Sequence, residues 1–226
     1  MDLVLLHAFP LDARMWDVPG ALTPSLRGHG EPDLDTLASQ VIAELPRDKV
    51  VLGGCSMGGY VAMAVVRRAP ERVKGLVFVD TKHTADAPEA VQNRLAMAER
   101  VERDGVGEWL VEATLPNLVG PNASDTAKAL VRTMILDQRA EDVAWWQRAM
   151  AKRPDSTDVL ETLDVPSLVL VGEHDKFTPP DVAAKLAVTL KHATSERIED
   201  SGHLPPVEQP EEFRVRLERW RKQVGL

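Results

Sequence analysis

The chain has 226 residues, with 27 Lys and Arg against 35 Asp and Glu for a formal charge of −8. One core with an insertion fits that length better than two independent domains, and the acidic balance, with no basic cluster, argues against a nucleic-acid partner. A single cysteine, Cys55, excludes an intramolecular disulfide or a Cys-based metal cluster, and no stretch approaches the roughly 18 apolar residues of a membrane span.

The amino-terminal stretch carries Asp2 where a signal peptide wants base, and its apolar run is short, so a cytoplasmic location is expected. Aromatics make up only 4% of the chain. Ala, Val and Leu must build most of the core, which suits helices packed on a buried sheet.

In chain order, the first apolar run is 3–6, and 21–26 is the weakest strand candidate. Asp33 can cap a helix whose Leu34, Leu37, Val41, Ile42 and Leu45 share a face, and Pro46 ends it. The run 50–52 leads into a helix over 57–69 that stops at Pro70, and 75–79 is a further strand. From 81 to 163 there is no convincing strand, only amphipathic patterns around Val91 to Val101, Trp109 to Ala113, Leu130 to Ile135 and Val143 to Met150. Strands 167–171 and, more weakly, 195–198 follow, and a helix over 211–224 buries Phe213, Leu217, Trp220 and Val224. Continuous short apolar runs alternating with helices predict an α/β fold with a mostly parallel sheet of about six strands. The core is expected over 1–80 and 164–226, with a helical cap over 81–163.

Gly54-Cys55-Ser56-Met57-Gly58 joins strand to helix in the G-x-S-x-G pattern of a nucleophile elbow. A serine on a strained turn needs neighbours without side chains so that the backbones can approach. A hydroxyl also needs a base, and the base a carboxylate. Gly172-Glu173-His174-Asp175 follows one strand and Ser201-Gly202-His203 another, at the sheet rim where α/β sites lie. Ser56 is therefore the expected nucleophile, His203 the base and Asp175 the acid, with Glu173 and Asp80 as rival acids. An oxyanion needs two backbone donors; Met57 supplies one, and in the loop after the first strand Phe9 is chosen because Pro10 has no N–H.

Other residues have plainer readings. His7 holds a turn, His29 lies in one, His83 begins the cap, His192 is on the surface, and His174 as a second base is redundant. Cys55 reads as a buried packing thiol. Trp145 and Trp146 point about 100° apart on one helix, so at most one faces the site, and each singly belongs to the cap core.

His7-Ala8-Phe9-Pro10, Arg27-Gly28-His29-Gly30, the elbow with Gly59-Tyr60, Gly172-Glu173-His174-Asp175 and Ser201-Gly202-His203-Leu204-Pro205-Pro206 together resemble the α/β-hydrolase superfamily. The likeness is to the small esterase and lactonase branch that includes 3-oxoadipate enol-lactonases and pimeloyl-ACP methyl ester carboxylesterases. It implies the same five positions: Ser56, His203, Asp175, Phe9 and Met57. It also implies two antiparallel strands before the first run that this chain does not show. Ala8 and Ser25 depart from the Gly and Asp that members commonly carry. The resemblance implies a small ester or lactone substrate, an acyl-enzyme intermediate and no cofactor or metal. Carbon–carbon bond hydrolases, cofactor-free haloperoxidases and lyases use the same three groups, and a non-catalytic ligand receptor is the alternative of a different class.

Overall fold

A computed structural model describes residues 2–226. The apolar runs become five strands, β1 (Leu3–Leu6), β2 (Val50–Cys55), β3 (Val73–Val79), β4 (Pro166–Gly172) and β5 (His192–Ile198). They lie side by side in chain order and every neighbouring pair is parallel. All residues of β1 and β2 are buried although successive side chains point to opposite faces, so helices cover the sheet on both sides. β5 is the partly exposed edge.

The sheet therefore has five strands among the described residues where about six were expected. The segment 21–26 pairs with β1 only at Leu22, whose N–H donates to Leu3 O at 2.8 Å and whose carbonyl accepts from Leu5 N at 2.9 Å. The next donor along a parallel ladder falls two residues on, at Pro24, which has no N–H to give.

Helix α1 (Leu34–Glu44) starts at Asp33, whose carboxylate accepts from Asp35 N at 2.9 Å. Helix α2 (Met57–Arg68) is buried on all sides over Met57 to Val66 because it packs on the sheet and on α1. Between β3 and β4 come five helices: α3 (Pro88–Asp104), α4 (Glu108–Leu118), α5 (Asp125–Leu136), α6 (Ala140–Ala151) and α7 (Thr157–Thr162). Helix α8 (Pro180–Thr189) links β4 to β5, and α9 (Pro205–Glu208) and α10 (Pro210–Val224) end the fold. α10 buries Phe213, Leu217 and Trp220, while Val224 is only partly covered.

The inserted helices are tied down at both sides. Ser156 N donates to His83 O at 2.9 Å, joining the end of the insertion to its beginning. Opposite, the indole N–H groups of Trp145 and Trp146 donate to Gly30 O at 3.1 Å and Leu26 O at 2.5 Å. Asp142, buried on α6, accepts from Gly28 N at 3.2 Å and from Arg27 Nη1 at 3.1 Å. No helix of the described residues is long and apolar enough to cross a membrane.

Candidate active site

Because all five strands run the same way, their carboxyl ends share one rim. Each delivers one residue of interest there: Phe9 after β1, Ser56 after β2, Asp80 after β3, Asp175 after β4 and His203 after β5.

Ser56 sits between β2 and α2 at φ 50° and ψ −114°, a conformation that side chains seldom adopt. The strain is held by Ser56 N donating to Val79 O at 3.0 Å and by the Thr81 hydroxyl donating to Ser56 O at 2.9 Å. A Cβ at Gly54 would run into the backbone of Gly58, and one at Gly58 into Leu6 O. Those contacts explain why both flanking positions are glycine. Among the described residues no hydrogen bond holds the Ser56 hydroxyl, which faces a cavity of about 400 Å³ together with His203 and Phe9.

His203 Nδ1 lies 2.9 Å from Asp175 Oδ1, and both side chains are almost wholly buried. Asp175 also accepts from Phe177 N at 2.8 Å, Thr178 N at 3.2 Å and the Thr178 hydroxyl at 2.6 Å. Burial alone would raise its pKa. The His203 imidazole and these donors outweigh that and hold the carboxyl well below the usual carboxylate range. The ring of Phe177 stands edge-on to His203 at 5.0 Å.

The rival acids go elsewhere. Glu173 accepts from Asp200 N at 3.3 Å and stands 3.9 Å from Arg197. Asp80 is buried and accepts from Gly172 N at 2.9 Å through Oδ1. Burial first, and the neighbouring Asp175 charge second, push its carboxyl well above the usual range. It is Asp175, and not Asp80, whose carboxylate lies at hydrogen-bond distance from the His203 imidazole. The Asp80 Oδ2 is buried and meets no hydrogen-bond partner among the described residues.

Met57 opens α2, so its amide has no intrahelical acceptor and lies at the positive end of the helix dipole. The Phe9 amide has no partner among the described residues. His7 is buried, with Nδ1 3.1 Å from Ala8 O while Nε2 accepts from Leu26 N at 3.4 Å, and burial lowers its pKa, so it is a neutral turn holder. Cys55 points its thiol at His203 O, 3.6 Å away, and burial pushes that thiol up. Neither Trp145 nor Trp146 lines the cavity.

Sequence reasoning missed Glu208. Its Oε1 accepts from Gly202 N at 2.9 Å, Leu204 N at 3.2 Å and the Ser201 hydroxyl at 3.3 Å, and its Oε2 accepts from Gly120 N at 2.6 Å. One carboxylate thereby fixes the loop that carries His203 and fastens it to the α4–α5 turn. Its only sequence signal is an acid five residues past a candidate histidine. Also missed were Lys82, Asp86 and Arg94 on the cavity wall.

Residues 3–216 match the model of the alpha/beta hydrolase family. The chain is 36% identical to a thermophilic esterase from Thermogutta terrifontis, solved with malate bound, at a TM-score of 0.91 and covering 99% of this chain and 90% of that one. It is 29% identical to the pimeloyl-[acyl-carrier protein] methyl ester esterase of Aromatoleum aromaticum, over 96% of each. An enol-lactonase from Burkholderia xenovorans shares the fold at TM-score 0.85 and 20% identity, over 98% of this chain and 91% of that one.

Proposed function

We propose that this chain, which belongs to the alpha/beta hydrolase family and cleaves ester bonds, does so through Ser56, His203 and Asp175 on a small carboxylic ester or lactone. The observation that carries this reading is the buried 2.9 Å contact of His203 Nδ1 with Asp175 Oδ1 on the cavity that Ser56 faces. With Nδ1–H donated to the carboxylate, Nε2 is free to take the proton of the Ser56 hydroxyl as its oxygen attacks the ester carbonyl. The carbonyl oxygen becomes an oxyanion beside the Met57 and Phe9 amides, donors worth roughly 10²–10³ in rate each. Collapse expels the alcohol, which takes the proton from His203. Water, deprotonated by His203, then releases the acid from Ser56.

The test is hydrolysis of a panel of p-nitrophenyl esters and lactones of graded size by the wild type and by Ser56→Ala, with fluorophosphonate labelling of both. Ser56→Ala is expected to lose about 10³-fold or more in kcat and all labelling. Turnover above about a hundredth of wild type would remove Ser56 from the mechanism.

A further inference from the structure

One part of the cavity wall has nothing to do with Ser56, His203 or Asp175. Lys82, from the start of the insertion, and Arg94, from α3, both line the cavity and both point at Asp86. Lys82 Nζ is 2.9 Å from Asp86 Oδ1, and Arg94 Nε donates to Asp86 Oδ2 at 2.6 Å. Arg153 grips the same carboxylate through Nη1 at 2.5 Å and Nη2 at 2.7 Å while its guanidinium lies 4.0 Å from the Tyr60 ring centroid. Three cations thus share one anion, and the Asp86 side chain is only 3% exposed.

That balance leaves two positive charges without a partner on the cavity wall. Asp86 is fully committed: burial opposes its charge, but the hydrogen bonds and charges of Arg153 and Arg94 hold its carboxyl well below the usual range. Donors are left over. Arg94 uses Nε on Asp86 and Nη1 on Gln147 Oε1 at 3.1 Å and Met150 Sδ at 3.3 Å, and no partner among the described residues takes its Nη2. Lys82 has three N–H bonds and one partner. Asp33 and Asp35 share a separate small cleft with Lys82 and Arg153, but Asp33 caps α1 and Asp35 faces Arg68. Most of the remaining cavity wall toward Ser56 is apolar or neutral, including Phe9, Met97, Leu118 and Asn93.

We propose that Lys82 and Arg94 seat a carboxylate of the substrate, so that the preferred ester carries an anionic carboxylate on the portion that reaches from Ser56 to the cluster. This rests on the reading that Ser56 cuts the ester. A planar guanidinium and an ammonium around a carboxylate supply charge-assisted donors, and a substrate anion brings the cluster closer to neutrality. Arg153 acts behind them, since it is buried by Tyr60 and spent on Asp86. Tyr60 N donates to Ser56 O at 3.3 Å one helical turn away, so the cluster is anchored to the same helix that presents the nucleophile.

The experiment compares monomethyl succinate, glutarate and adipate with the same methyl esters bearing a primary carboxamide in place of the free carboxylate. A second series puts the carboxylate or carboxamide on the alcohol portion of butyrate esters. In at least one series kcat/KM is expected to favour the carboxylate by roughly 10–100-fold at low salt, with the preference shrinking as ionic strength rises. Arg94→Gln and Lys82→Gln should each lower the carboxylate-to-carboxamide ratio, Arg94→Gln by about tenfold or more. Equal turnover of carboxylates and carboxamides in both series overturns the anion seat and leaves the Ser56 reading intact. Loss of neither labelling nor turnover in Ser56→Ala would instead strike that reading. Where no compound is turned over, calorimetric titration of glutarate monoester and its amide into Ser56→Ala decides: tenfold tighter carboxylate binding supports the seat, and equal affinity overturns it.

Discussion

Two neighbouring aspartates, Asp80 and Asp175, have their carboxyls pushed in opposite directions because their partners differ. Asp175 collects the His203 imidazole, two amides and a hydroxyl. Asp80 has one amide and an anionic neighbour. Asp175→Asn removes the charge that stabilises imidazolium and should lower kcat by about 10³–10⁴-fold. Asp80→Asn should cost far less, because the His203–Asp175 contact stays in place and the amide oxygen still accepts from Gly172 N; steady-state kinetics giving the reverse ranking would move the acid to Asp80. The two variants also part company in stability. A buried acid with a raised pKa binds its proton more tightly folded than unfolded, so its contribution falls as pH climbs from about 4 toward the folded value. The Tm of Asp80→Asn minus that of wild type should therefore grow more positive between pH 4 and 8, and a flat difference would show Asp80 ionised. At Gly58 the argument is steric: Gly58→Ala places a methyl against Leu6 O, and loss of soluble protein or of most activity is the expected outcome.

At the scale of elements, the loop bearing His203 depends on Glu208. Glu208→Ala leaves the amides of Gly120, Gly202 and Leu204 without their acceptor, each such loss costing about 1–3 kcal/mol when buried. Chemical denaturation should register at least the lower figure, and no change would mean the loop holds itself. The strands and the elbow were legible because their signals are local: an uninterrupted apolar run, or a glycine that no other residue can replace. The sixth strand failed on a single proline, Pro24, at the one position where the ladder needed a donor. Helix α8 was not anticipated because only Ala183 and Leu186 on it are buried, too little for a periodic pattern. Glu208 and the Lys82, Asp86, Arg94 and Arg153 cluster were illegible for another reason. Each reads locally as a solvated charge, and their partners are set by how α3, α6 and the core come together.

For the whole molecule, two buried carboxylates with depressed pKa values, Asp175 and Asp86, set the acid limit. Each binds its proton less tightly folded than unfolded, so the stability it adds is complete above the unfolded value of about 4 and drains away as pH falls below it. Unfolding free energy should drop steadily between about pH 4 and 2, and Asp86→Asn should flatten that limb while lowering stability at neutral pH, where it strands three cations. The bond between Ser156 N and His83 O reaches further still. It means that the segment 84–155 begins and ends side by side, so bridging its ends with a short linker asks little closure entropy. The insertion is in this sense a cartridge. Lifting out 84–155 and seating the equivalent segment of a relative should yield a folded chimera whose ester preference follows the donor of the cartridge, while the chemistry stays with the recipient.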